Sequence, residues 1–547
     1  MSDVRIVPRF SRKNKGGGNP PNRGGGIFFN PRRKLPGKGG GEMGIFGIRR
    51  PEGQPHPRKE PLFHGPLTAE NVERAFGGSV DFQRRKIWLG GDREKAVEVC
   101  SVSGMVRTER ANDYVLRPLA QNRELAALSC GEAFSYLAQG GIYNLSVSEV
   151  ETLDDGVAQL IDGALLLIFP QLGRTLACAV ATEEKRSISD PENEPAIKGA
   201  QDAFVESGRT NTSLVRRRLR SPMLRVEEEI VGRQSRTPVD LLYIEGIART
   251  ETVQAVRERL KEIDIDGLLA AGNLEQYMVG ELDTTFPLIY STQRPDRFCA
   301  NLLAGRVGIL ADGIPLGFLL PGTLGVFFAT EQDRTDNWVV AGCLTALRYA
   351  ALLVTLFLPA VYVAAVLFHP EMIPLALAKS IISAEEGVPF GALFEVILLL
   401  LAFEIIQEAG LRLPGNLGQT VSILGGLVVG SAAVEAKIVS PAILIVVATA
   451  GIAGHTIPDQ DFAGGVRLWR LVLAAAGGLG GFLAVTLVTA VLVGHLAGLT
   501  SFGVAYLTPF AARAGEQVQG HAVFRVPLPR VKHRPESLAG RNRRNQR

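Results

Sequence analysis

The chain has 547 residues, of which 46% are hydrophobic and 21% are charged. This length is enough for two to four domains of ordinary size. The net charge of +4 is small beside 59 basic and 55 acidic residues, so it gives no reason to expect nucleic acid as a partner.

The cysteines are too few and too scattered to indicate a disulfide framework or a zinc site. They are Cys100, Cys130, Cys178, Cys299 and Cys343. Their number is odd, and no CxxC pair occurs. We therefore expect a reducing compartment and no metal.

Residues 1–65 combine glycine and proline runs with an excess of basic residues, as in "NKGGGNPPNRGGG". Such a composition cannot bury enough apolar surface to offset chain entropy, so it predicts a disordered basic tail. Two interpretations of its charge stay open, a solvated tail or attraction to an anionic membrane surface. The segment lacks the apolar stretch of a signal peptide, so we expect membrane insertion to depend on later segments.

Residues 66–335 have the composition of soluble protein. "VEVCSVSGMV" and "VDLLYIEGIA" predict strands, and "TVQAVRERLKEI" predicts a helix with one apolar stripe. Asp162-Gly163 and Asp312-Gly313 each stand between apolar runs, which is typical of a tight hairpin. The alternation predicts two small cytoplasmic α/β subdomains.

We expect these subdomains to occupy residues 66–190 and 191–335, with the boundary in the polar segment "RSISDPENEPA". The second one contains "SLVRRRLRSP", with three arginines at 216–218. A helix with one apolar stripe and a solvated or salt-bridged outer face explains this pattern. A contact with phosphate or a lipid headgroup is the alternative.

Residues 336–512 are mostly apolar and predict a helical transmembrane domain of four to six helices, which places the chain in an α+β class with a membrane part. The convincing segments are 339–367, 389–407, 439–457 and 468–496, with a shorter one at 420–433. We favour four crossings with the short segment re-entrant, since the two basic ends should lie together on the cytoplasmic side. Residues 513–547 are then a basic cytoplasmic tail. Arg467 and Arg470 fit this arrangement poorly.

Three acidic residues interrupt the second apolar segment: Glu395, Glu404 and Glu408. A charge at the centre of a membrane helix costs roughly 2.5–3.5 kcal/mol on insertion scales. Glu395 and Glu404 are predicted to point to opposite faces of the helix, so neighbouring protein or water must surround them. Arg348 is the candidate partner. A structural ion pair, a role in an ion path or gate, and a position near the headgroups remain alternatives.

Small residues recur at four-residue spacing in this region, at Gly426 with Gly430 and at Gly477 with Gly481. This spacing lets helix backbones approach closely, which favours a role in helix packing. The alternative is that glycine is simply tolerated in apolar sequence.

No internal repeat is evident in the apolar region, which argues against a transporter acting alone. Four short crossings can line a pore when several copies surround one axis, so we expect a homo-oligomer in contact with membrane lipids. We find no motif of a catalytic site or of a cofactor site, so we expect that the protein is not an enzyme and binds no cofactor.

Several long motifs occur in one order along the chain. They include "GAQDAFVESGRTNTSLVRRRLRSPML", "FPLIYSTQRPDR", "LLAGRVGILADGIP" and "FEIIQEAGLRLPGNLGQTVSILGGLVVGSAAVEAKIVSPAILIVVA". Together they resemble the A-subunit family of spore germination receptors, the GerA type. In this resemblance Glu395, Glu404 and Glu408 match the acidic helix of the family.

The resemblance implies an integral protein of the spore inner membrane, with its N-terminal domains and C-terminal tail on the spore core side. It implies two partners, a transporter-like B subunit and a lipoprotein C subunit. The expected function is that of an A subunit, which transduces germinant binding into ion release as an oligomeric channel. The alternative is a related sporulation scaffold or transporter-type protein without its own pore.

Overall fold

A computed structural model describes residues 62–142, 146–181, 194, 198–280, 283–411, 430–510 and 527–545. Residues from Pro61 to Arg547 form one compact unit. Nearly all of the predicted tail at 1–65, most of the predicted subdomain boundary, and Gly426 lie outside the described residues.

The first sheet has five antiparallel strands in the order β1-β2-β4-β5-β3. Its strands are β1 (Phe82–Trp88), β2 (Ala96–Val102), β3 (Val147–Val150), β4 (Ala164–Phe169) and β5 (Arg174–Ala179). The associated α-helices are α1 (Ala69–Phe76), α2 (Thr108–Arg110), α3 (Arg117–Gln121), α4 (Arg123–Ala127), α5 (Cys130–Tyr136) and α6 (Leu153–Ile161). Two π-helical turns, Ala111–Leu116 and Leu137–Gly141, lie between them.

The second sheet repeats this plan, with the strand order β6-β7-β9-β10-β8 and only antiparallel pairs. Its strands are β6 (Leu224–Val231), β7 (Thr237–Ile244), β8 (Tyr290–Thr292), β9 (Val307–Ala311) and β10 (Gly317–Leu320). The helices are α7 (Gly208–Arg218), α8 (Thr250–Glu262), α9 (Ala271–Val279) and α10 (Pro295–Ala304). In both sheets one helix joins the third strand to the fourth, and a hairpin joins the fourth to the fifth. We call the two units the first and second subdomains; the boundaries given above for them remain predictions.

The strands predicted from "VEVCSVSGMV" and "VDLLYIEGIA" are confirmed as β2 and β7, and the amphipathic helix is α8. Asp312-Gly313 lies in the β9–β10 hairpin, as predicted. The hairpin at Asp162-Gly163 was a wrong prediction, because these residues join the end of α6 to the start of β4. Gly163 adopts a φ of 88°, which favours glycine and allows the chain to leave the helix abruptly.

The basic motif lies in α7 as predicted, but its first arginine does not lie on an outer face. Arg216 is buried against Asp81 of the first subdomain, with its Nε and Nη2 donating to the two carboxylate oxygens at 2.7 and 3.0 Å. Arg218 pairs with Asp202. Two of the three arginines therefore form salt bridges, and the buried one joins the two subdomains.

The apolar region contains the helices α13 (Trp338–Phe368), α14 (Leu375–Glu385), α15 (Ala392–Leu411), α16 (Pro441–Gly454) and α17 (Gln460–Gly498), preceded by the short helices α11 (Leu324–Phe327) and α12 (Gln332–Thr335). Among the described residues, α13 and α17 are the two helices long and apolar enough to cross a membrane. Helix α16 is apolar but shorter.

Helix α17 is bent back on itself at Gly480 and Gly481, whose backbone angles are not helical (φ −147°, ψ 20° and φ 60°, ψ −152°). The rings of Trp469 and His495 are 6.5 Å apart between centroids. In a straight helix these residues would be about 39 Å apart, at 1.5 Å per residue. The two halves, residues 460–479 and 482–498, therefore form an antiparallel helical hairpin.

The bend of this hairpin lies at the end of the helical bundle that is far from the subdomains. A Cβ on Gly481 would be 3.0 Å from Cβ of Phe368, at the end of α13. A Cβ on Gly478 would be 2.5 Å from Leu393, at the start of α15. At the opposite end, Phe462 packs on Phe286 of the second subdomain.

After the hairpin the chain returns to the second subdomain. The strands β11 (Thr500–Ser501) and β12 (Val504–Ala505) form a small ribbon, and the hydroxyl of Ser501 donates to the carbonyl of Leu288 at 2.7 Å. Further on, the amide of Gly540 donates to the carbonyl of Ile247 at 2.7 Å. The end of the chain and the subdomains thus lie on the same side of the helices.

Candidate functional site

Glu404 of α15 forms ion pairs with two arginines of α17. Its Oε1 accepts from Nη2 of Arg470 at 2.7 Å, and its Oε2 accepts from Nη1 of Arg467 at 3.2 Å. The two arginines are three residues apart, so they lie one above the other on the same face of the helix. A charged group among apolar helices is stable only with such partners.

The same network extends to α16 through Gln407, which lies one turn after Glu404. Nη1 of Arg467 also donates to Oε1 of Gln407 at 3.0 Å, and Nε2 of Gln407 lies 3.0 Å from Nε2 of His455. His455 caps the end of α16. Helices α15, α16 and α17 are therefore joined by one chain of polar contacts.

The members of this network differ in burial. The side chain of Arg470 is 2% exposed, whereas those of Arg467 and Glu404 are 31% and 26% exposed. The Nε of Arg470 is buried and has no hydrogen-bond partner among the residues that the structure describes. A buried donor without a partner is unusual in a folded protein and costs free energy.

Glu395 lies at the other end of α15 and serves a different purpose. It is almost completely buried, and its Oε2 accepts from the backbone amide of Ser440 at 2.7 Å. Ser440 is the N-cap of α16, so the carboxylate lies at the positive end of that helix dipole. This contact stabilises both the charge and the helix end.

The structure separates Arg348 from the glutamates that it was expected to pair with. Its Nη1 and Nη2 donate to the two carboxylate oxygens of Asp333, in α12, at 2.7 and 3.0 Å. Nη1 also donates to the carbonyl of Phe328 at 3.1 Å. Arg348 therefore ties the start of α13 to the segment before it. Glu408 is exposed, one turn beyond Glu404.

The predicted packing glycines occupy three different environments. A Cβ on Gly477 would be 2.5 Å from the carbonyl oxygen of Ala360 in α13, so the two backbones approach closely there. Gly481, with a φ of 60°, forms the bend of the hairpin. Gly430 lies against Leu444 of α16.

Sequence reasoning did not connect Glu404 with Arg467 and Arg470. The available signal was the helical spacing on both sides: Glu404 with Gln407, and Arg467 with Arg470, each three residues apart in an apolar run. The hypothesis that each segment crosses the membrane singly hid this signal, because it placed the arginines on the wrong side.

A second polar region lies between the second subdomain and the start of α17. It is a cavity of about 180 Å³ whose lining includes Arg297, Asp459 and Asp461. Burial raises the pKa of Asp459 to about 6. Burial also raises the pKa of Glu275 in α9 to about 7, with the charges of Asp461 and Asp459 adding to the shift. Protonation of these carboxyl groups therefore falls near neutral pH.

Comparison with known proteins gives one consistent result. Residues 70–537 match the family described as "Bacillus/Clostridium GerA spore germination protein". Spore germination protein KA of Bacillus subtilis (strain 168) is 35% identical over 88% of this chain and 88% of its own length. Spore germination protein B1 of the same organism is 33% identical over 85% of this chain and 95% of its length.

Spore germination protein GerLA of Bacillus cereus is 32% identical over 86% of this chain and 94% of its length. Among solved structures, the N-terminal domain of the A subunit of the Bacillus megaterium spore germinant receptor GerK3 is 32% identical. It covers 45% of this chain and 91% of that domain, with a TM-score of 0.35.

Proposed function

This chain belongs to the GerA family of spore germination proteins, and on that premise we propose that it is the A subunit of a nutrient germinant receptor. In this role it transduces germinant binding into the release of ions across the spore inner membrane. The observation that carries the proposal is the Glu404–Arg467–Arg470 network, because ionisable groups within membrane helices mark ion pathways by default.

The proposed topology has an even number of crossings, within the expected range of four to six. Helices α13 and α15 and both halves of α17 each run between the subdomain end of the bundle and its far end. Helix α16 begins beside Glu395 of α15, near the far end, and ends at His455, beside Gln407. Helices α15 and α16 therefore run in the same direction. An even number keeps the subdomains and the C-terminal residues on one side, the spore core.

A single copy offers few helices for a pore, so the proposal includes a homo-oligomer around a central path. It also includes a transporter-like B subunit, which binds the nutrient, and a lipoprotein C subunit. The acidic residues of α15 are the candidates for the ion path, and membrane lipids surround the assembly.

A second candidate function is a receptor scaffold without its own pore. The observation that favours it is that the charges have structural partners: Glu404 has two arginines, Glu395 caps α16, and Arg348 pairs with Asp333. Buried ion pairs of this kind can specify a structure without a further role.

The test is single-channel recording of the full chain in planar bilayers, alone and together with its partner subunits. We expect discrete cation-carrying openings that depend on this chain. Bilayers that contain the assembled receptor and carry no current in nutrient broth would contradict the channel and favour the scaffold.

A further inference from the structure

Each arginine in the network holds Glu404 by a single side-chain hydrogen bond. Arg470 donates from Nη2 and Arg467 from Nη1. By contrast, Arg216 holds Asp81 with the parallel donors Nε and Nη2, one to each oxygen. This two-bond fork is the stronger arrangement of a guanidinium and a carboxylate. On the corresponding edge of the Arg470 guanidinium, Nη2 donates a hydrogen bond but Nε does not.

The unfilled position is the buried Nε of Arg470, which has no partner among the described residues. It belongs to the same edge of the guanidinium as the Nη2 that already bonds Glu404. A rotation of the carboxylate that moves its Oε2 from Arg467 to this Nε would complete the fork. It would also give this buried Nε a hydrogen-bond acceptor.

Arg467 would lose little by being released. Its side chain is 31% exposed, so water can reach it. Its Nη1 keeps the hydrogen bond to Gln407 at 3.0 Å, and its Nε lies 3.4 Å from the carbonyl of Ala463. The carboxylate therefore has two arrangements of similar quality, one shared between the arginines and one forked on Arg470 alone.

We propose that Glu404 exchanges between these two arrangements, and that the release of Arg467 accompanies the opening of the ion path. This inference rests on the proposed function. The shared arrangement ties Glu404 to two successive turns of α17, whereas the forked arrangement ties it to one. Release frees α15 to shift along the hairpin, and Gln407 carries the shift to His455 at the end of α16. Arg467 is thus a positioning residue that holds the resting state, and Arg470 is the permanent partner.

The experiment measures potassium release from spores whose sole A subunit is the full chain or a variant. Arg467→Gln removes the partner that only the resting state uses, so release without nutrient should rise roughly fivefold, the effect of one modest ion pair. Arg467→Lys keeps a charge near Glu404 and should stay close to the wild type. Arg233→Gln, the same change at an exposed pair on the second subdomain, is the matched control and should have no effect.

A double variant separates this role from simple damage. Arg470→Lys has no Nε donor and cannot form the fork, so it should suppress the release caused by Arg467→Gln. A merely structural lesion would be worsened by the second substitution. The inference is overturned if Arg467→Gln leaks no more than the wild type at equal protein amounts, or if Arg470→Lys leaves the leak unchanged.

If the Arg467→Gln protein does not accumulate in the membrane, the single variant Arg470→Lys tests the inference. Potassium release triggered by nutrient broth should then fall roughly fivefold at wild-type protein amounts, and undiminished release overturns the inference. If wild-type spores release potassium in broth and the variants behave like the wild type, the exchange is contradicted but the proposed function is not. Spores whose triggered release does not require this chain contradict the proposed function itself.

Discussion

At the scale of single residues, the subdomains are joined by the buried ion pair of Asp81 and Arg216. Both side chains are at most 2% exposed, and the guanidinium also lies 5.8 Å above the ring of Phe76. Taking two charges out of water is costly, and only the full set of hydrogen bonds compensates for it. The pair therefore fixes the relative position of the subdomains more than it adds stability.

Removing one partner should reveal this dependence. Asp81→Asn leaves a buried guanidinium without its counter-charge and should lower the free energy of unfolding by about 3–5 kcal/mol. Asp264→Asn removes the same charge from an exposed pair with Arg233 and should cost far less, because water screens that pair. The melting temperatures of the two variants in detergent measure the difference. Equal decreases in melting temperature would show that burial of the Asp81–Arg216 pair does not increase its contribution to stability.

The sequence predicts which acidic residues need partners but not which partners they find. The opposite orientation of Glu395 and Glu404 follows from helical geometry, and the two residues do contact different helices, α16 and α17. The identity of each partner depends on how separate helices pack, and here local patterns carry no information. Arg348 was chosen as the one charge inside the first apolar segment, yet it pairs with Asp333 and not with a glutamate of α15.

At the scale of elements, the hairpin of α17 could have been predicted from length. The predicted segment 468–496 would be about 43 Å long as a straight helix, well beyond the ~30 Å hydrocarbon core, and the helix in the structure is longer still at 39 residues. Hydropathy alone does not find the bend, because glycine is common in membrane helices and leaves the average unchanged. The helix α8 and the strands β2 and β7 were predictable because their periodicity is local.

Cysteine labelling tests the hairpin. The background carries Cys130→Ser and Cys343→Ser, because Cys130 is partly exposed and Cys343 is exposed. In it, Gln460→Cys and Thr500→Cys should react from the side of the subdomains. Cysteine at Leu479, which is 78% exposed, should react from the opposite side. The measurement is modification by a membrane-impermeant maleimide in inverted and right-side-out vesicles. Labelling of positions 460 and 500 from opposite sides would contradict the hairpin and indicate that α17 crosses the membrane once as a straight helix.

At the scale of the whole molecule, the junction between the second subdomain and the hairpin should respond to pH. Glu275 has a pKa of about 7 instead of its ordinary 4.5, so between these values the folded state binds more protons than the unfolded state. The contribution of Glu275 to the free energy of unfolding therefore falls as the pH rises from about 4.5 to about 7, and this contribution stays level above that range.

Glu275→Gln should remove part of this dependence. The variant should melt at a higher temperature than the wild type at pH 8, because it avoids the cost of a buried charge near Asp459 and Asp461. At pH 4.5 the two should agree. Melting temperatures of the full chain across this range provide the measurement, with Glu251→Gln, an exposed position, as the control. Parallel curves for Glu275→Gln and the wild type would contradict the prediction.

The anchoring of the bundle has a mechanical consequence. Residues just after β10 hold both the entry to the membrane part and the exit from it: the amide of Leu324 donates to the carbonyl of Tyr506 at 2.8 Å, and Phe328 stacks on Tyr349 of α13 at 4.3 Å between ring centroids. A tilt of the second subdomain would therefore move the first and last helices at the same time and in the same direction. Helices α15 and α16 would respond to this movement only through their side-chain contacts with the neighbouring helices.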